Sequence, residues 1–116
     1  MIKITQNSAT DLGKAATHAA AMVRLDVTAI TGFSGIYLVE SEAQPRNGQP
    51  GKIHRYTTVI REVANGEFET TCGCEAGTPT HAGQVERLCK HVFSALNAHK
   101  ALEIAAINAK YAALGL

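Results

Sequence analysis

A chain of 116 residues with 46% hydrophobic side chains can bury a modest core, and we expect it to form one domain over residues 1–116. Its formal net charge of +1 excludes nucleic-acid binding by bulk charge, so any such binding needs a local basic patch. No apolar run reaches bilayer length, and with 5% aromatic residues and no tryptophan the core must be thin enough to profit from a metal site.

In chain order, Ile2 and Ile4 alternate with Lys3 and Thr5 as in a short strand. Polar residues follow at once, so we expect no secretory leader, reduced thiols and a cytoplasmic setting. Ser8 is placed to cap a helix that runs to about Arg24, with Asp11 in its first turn and Leu12, Ala16, Ala19 and Val23 on one face. His18 on this helix has no second ligand four residues on and reads as a surface histidine. β-Branched residues from Leu25 to Ile30, a turn flanked by Gly32 and Gly35, and the run Ile36–Val39 predict two antiparallel strands. Pro45, Gly48, Pro50 and Gly51 make residues 41–51 an exposed loop within the domain.

Residues 53–64 predict a long strand, and Asn65-Gly66 predicts a two-residue hairpin turn. That turn length sets a register in which Val63 faces Phe68, Arg61 faces Thr70, Val59 faces Cys72 and Thr57 faces Cys74. The opposite face then carries Tyr56, Thr58 and Ile60, with Glu62 against Glu69. We expect a C-terminal helix on the cysteine face and the N-terminal helix over Tyr56 and Ile60. Gly77, Pro79 and Gly83 read as a loop from Glu75 to Leu88, and helical spacing from Leu88 to Leu114 predicts a long final helix. The expected fold is α+β: an antiparallel sheet with a zinc-bound hairpin, an N-terminal helix and a long C-terminal helix.

All three cysteines fall in one stretch, as Cys72-Gly73-Cys74 and, after fourteen residues, Cys89-Lys90-His91. Three thiols and an imidazole are the donor set of a closed tetrahedral Zn2+ site. Cys72 and Cys74 point to the same side of an extended strand and converge if the chain bends at Gly73. Cys89 and His91 cannot share one face of a regular helix, so Cys89 belongs at a helix entrance and His91 in its first turn. A disulfide would leave one cysteine over. A redox role for Cys72 and Cys74 is the competing reading, and His81 is the substitute ligand for His91.

Cys-x-Cys, a variable spacer and Cys-x-His resembles the SWIM zinc finger family, and Cys89-Lys90-His91-Val92 is similar to the entry of that family's helix. The strand residues Tyr37, Val39, Ser41, Tyr56 and Thr58 fit the same pattern, which covers about residues 36–100, with the finger core at about 53–100. The resemblance implies a free-standing module with a structural zinc that binds DNA or another protein, and no catalytic activity in the finger.

Two functional expectations follow. As a nucleic-acid module, with DNA preferred over RNA, the chain would meet phosphates through Arg46, Lys52, Arg55, Arg87 and Lys90. Arg87 and Lys90 have a second explanation, because three thiolates on one dication leave a charge of −1 that nearby cations offset. As an adaptor, it would dock a protein partner through residues 41–51 or the final helix. No membrane or small-molecule partner is expected. An enzyme is disfavoured: a catalytic zinc needs an open position and a nearby acid or base, and no His-x-Glu pair, His-Glu-x-x-His helix or phosphate-binding glycine loop occurs.

Overall fold

The computed structural model describes residues 2–5, 8–74 and 88–115. Five strands and two helices follow one another as β1 (Ile2–Ile4), α1 (Ala9–Ala20), β2 (Arg24–Ala29), β3 (Ile36–Glu42), β4 (Ile53–Ala64), β5 (Glu67–Cys72) and α2 (Lys90–Ala113). The strands form one antiparallel sheet in the order β1-β5-β4-β3-β2. This is the expected α+β class.

Period-two alternation gives the sheet two unlike faces. The inner face buries Ile4, Phe68, Thr70, Cys72, Ile60, Thr58, Tyr37, Val39 and Ser41 under the helices. Val92, Ala95 and Leu96 of α2 close that core, and burying side chains such as Leu96 and Val92 contributes roughly 1.5–3 kcal/mol each. The outer face carries Arg24, Asp26, Glu40, Arg55, Arg61 and Glu69, tied by the pairs Arg24–Asp26, Arg24–Glu40, Arg55–Glu40 and Arg61–Glu69. Arg55, and after it Arg24, holds the Glu40 carboxyl below its ordinary range.

The hairpin turn at Asn65-Gly66 forms, with Ala64 opposite Glu67, but the register beyond it is not the expected one. Val63 is an extra residue, so Glu62 faces Phe68, Arg61 faces Glu69, Ile60 faces Thr70 and Thr58 faces Cys72. The unshifted ladder would have turned Arg55 and Arg61 toward the helices. One bulged residue sends both cations outward, replaces the expected Glu62–Glu69 repulsion with an Arg61–Glu69 pair at 2.5 Å, and buries Thr58 and Ile60 beside the cysteines. Val59 and Val63, expected on the cysteine face, are 38% and 39% exposed.

Helix α1 ends at Ala20, short of the expected Arg24, because Arg24 opens β2 opposite Glu42. Ser8 precedes the helix without capping it; its Oγ accepts from Thr5 N at 3.0 Å. Rather than covering Tyr56 and Ile60, α1 packs chiefly against α2, with Ala15 buried and Leu12 against the core. At the β2–β3 turn Gly35 has φ +79°, and its carbonyl accepts from Ile60 N at 2.7 Å. A Cβ there would lie 2.2 Å from Ile60 O, so only glycine fits. No helix among the described residues is long and apolar enough to cross a membrane.

Candidate metal centre

The inner face brings Cys72 from the end of β5, Cys74 just beyond it, and Cys89 and His91 at the start of α2 into one cluster. All four are buried, and their ligand atoms lie within 4.8 Å of one another. A tetrahedron with bonds of about 2.3 Å has edges of about 3.8 Å, so small side-chain rotations close the cluster on an ion. No disulfide joins the cysteines.

Each ligand is held by a local device. Cys89 is extended (φ −112°, ψ 169°) and is the N-cap of α2, with its Sγ accepting from Val92 N at 3.4 Å. The helix dipole there favours a thiolate. His91 falls in the first turn, as its offset of two from Cys89 demands. Thr58, opposite Cys72 because of the bulge, donates its hydroxyl to Cys72 Sγ at 3.6 Å.

The two ring nitrogens of His91 differ in their partners. Its Nε2 lies 3.2 Å from Ser41 Oγ, whereas Nδ1 is buried with no hydrogen-bond partner. A buried orphan nitrogen beside three thiols is costly unless an ion takes it. Metal at Nδ1 requires the proton on Nε2, which then donates to Ser41 Oγ and fixes the ring. Tyr56 packs edge-on against His91 at 5.0 Å between ring centroids, and His54 stacks on Tyr56.

Without a cation the electrostatics are unfavourable. Hydrogen bonding to Cys72 and Cys74, together with burial, pushes the Cys89 thiol far up. Burial pulls His91 down, but its contacts with Cys72 and Cys74 outweigh that and leave it raised. A divalent metal reverses both tendencies by drawing off the protons. The donor set therefore fits a soft or borderline ion, and the cluster can hold one.

The remaining expected site residues do not converge. Arg55 lies on the outer face, away from the cluster, and is bound to Glu40. Arg46 and Lys52 are exposed in the loop that leaves the sheet after Glu42, and Lys90 is half-buried next to His91. These three have no ion-pair partner among the described residues. Arg87, His81 and the spacer loop lie outside the described residues. Ser41 and Thr58, which support the ligands, were unmarked as such in the sequence, since a lone hydroxyl on a strand signals nothing until its partner is known.

A second polar cluster sits farther along α2. Tyr37 OH is 2.7 Å from His99 Nδ1, and His99 Nε2 is 3.3 Å from Glu103 Oε1. They line a cavity of about 450 Å³ with Phe33, Ile60 and Leu102. Burial, then the nearby Glu103 charge, raises Tyr37.

Compared with known proteins, the chain matches no protein-family model, no curated protein and no solved structure.

Proposed function

We propose that Cys72, Cys74, Cys89 and His91 hold one structural zinc, and that the chain is a non-catalytic module for binding another macromolecule. The observation that carries this is the buried cluster of three thiols and His91, whose Nδ1 has no hydrogen-bond partner: four protein ligands complete a tetrahedron and leave no position for substrate. When bound, zinc supplies a cross-link between the end of β5 and the start of α2. The ligand pattern Cys-x-Cys and Cys-x-His supports membership of the SWIM zinc finger family, which implies the same role.

Of the two partner classes, protein is the better supported. Arg55 and Arg61 are compensated by Glu40 and Glu69, whereas α2 exposes Leu102, Ile104, Ile107, Tyr111 and Leu114. The nucleic-acid reading rests on Arg46 and Lys52 in the β3–β4 loop and on Lys90 next to His91, which have no acidic partners among the described residues. Three phosphate contacts correspond to a salt slope of about −2.7 on duplex DNA.

Pull-down with the zinc-loaded protein, analysing protein and nucleic acid separately across a salt series, tests the reading. Capture of a protein partner that resists salt and is lost in Ile107→Asp is the expected result. Steeply salt-dependent nucleic-acid capture, lost in the Arg46→Ala/Lys52→Ala double variant, would select the second reading. Failure to take up zinc would remove the module reading itself.

A further inference from the structure

Every described residue of α2 from Lys100 onward is exposed. This stretch is not a polar solvent-facing helix: Leu102, Ile104, Ile107, Tyr111 and Leu114 are each at least half exposed, and Ala101, Ala105, Ala106, Ala109, Ala112 and Ala113 fill much of the rest. A helix apolar on all sides ordinarily lies inside a larger packing. Ile104, Ile107, Tyr111 and Leu114 follow a three-four spacing, which is the seam of a helix that packs lengthwise on another helix.

Charge selects the partner. Among the described residues of this stretch beyond Lys100, Glu103 and Lys110 are the charged pair, seven residues apart and therefore on the same edge of the seam. A two-fold axis near Ala106 and Ile107 sets Glu103 of one copy level with Lys110 of the partner subunit, and the converse pair forms by symmetry. The same axis packs Ile107 against its counterpart and sets Ile104 between the partner's Ile107 and the partner's Tyr111. A parallel pair would oppose Glu103 to Glu103 and crowd two bodies 27–33 Å across onto helices about 10 Å apart. The antiparallel arrangement puts the bodies at opposite ends of an overlap of about 22 Å.

We infer that the exposed half of α2 is a homodimer interface, in which two copies pack antiparallel through Ile104, Ile107 and Tyr111 with reciprocal Glu103–Lys110 pairs. This rests on the protein-interaction reading and names its partner as a second copy of the chain.

The test is sedimentation of the zinc-loaded full chain over a concentration series, with Ile107→Asp, Lys110→Glu and Glu103→Lys. A dimer is expected for the parent and a monomer for Ile107→Asp. Each single charge reversal, which sets like charges together twice, should weaken the dimer about tenfold. Mixing the Lys110→Glu and Glu103→Lys proteins should restore a heterodimer of parent-like affinity, because the reversed charges are then complementary. Lys110→Glu leaves the His99–Glu103 contact untouched, and zinc content with far-ultraviolet dichroism checks that Ile107→Asp folds. A parent that stays monomeric at several hundred micromolar overturns the inference, as does a dimer indifferent to these reversals. A monomer that captures a different protein through Ile107 overturns self-association alone; a monomer that captures none overturns the protein-interaction reading as well.

Discussion

Ser41 Oγ and His91 Nε2, on residues 50 apart in the chain, meet at 3.2 Å and join the end of β3 to the first turn of α2. The contact engages Nε2 and leaves Nδ1, buried and without a hydrogen-bond partner, as the nitrogen open to a metal. Ser41→Ala leaves the Nε2 proton buried without its acceptor. Metal affinity should fall by about 10–100-fold, measured by competition with a chromophoric chelator, while the four ligands stay in place. Unchanged affinity would mean that the ring is held by Tyr56 packing alone.

Metal uptake should release protons. In the metal-free cluster the Cys89 thiol is raised by Cys72, Cys74 and burial, so it is protonated at neutral pH and must lose that proton to bind. Binding by three thiolates releases roughly three protons, and affinity therefore falls as pH falls. Calorimetry in buffers of differing ionisation heat reads the number. Chelation should also abolish amide protection in β4, β5 and the first turns of α2, since the centre ties those elements together. Equal protection with and without metal would make the site an accessory to the fold.

Gly35 and Gly32 both have positive φ, at +79° and +87°, but only Gly35 lies against backbone. Gly32→Ala should cost about 1 kcal/mol from conformation alone. Gly35→Ala adds a Cβ 2.2 Å from Ile60 O and should cost at least ~2 kcal/mol more as the β2–β3 turn shifts off β4. Chemical denaturation of the zinc-loaded variants gives the difference, and similar losses for both would refute the clash.

If nucleic acid is bound, the cations should not contribute equally. Arg46→Ala with Lys52→Ala should flatten the salt slope by about 1.8, whereas Arg55→Ala should leave it unchanged because Glu40 already neutralises Arg55. Binding titrations at several salt concentrations separate the two. A smaller slope in Arg55→Ala would show that phosphate displaces Glu40.

The ligand cluster was legible in the sequence because it depends on residue type and short spacing. Three thiols and one histidine make a complete donor set, and an offset of two between Cys89 and His91 forces a helix to begin there. The turn at Asn65-Gly66 and the strands around it were legible for the same local reason. Tertiary structure alone decided the register, because whether Val63 is paired or bulged depends on which face of β4 meets α2, and the penalty for burying Arg55 and Arg61 appears only once that helix is in place. It likewise decided that Arg55 is neutralised, that Ser41 orients His91, and that the apolar period of α2 continues past the edge of its own core. Periodicity records which residues share a face; only the packed chain determines what that face touches.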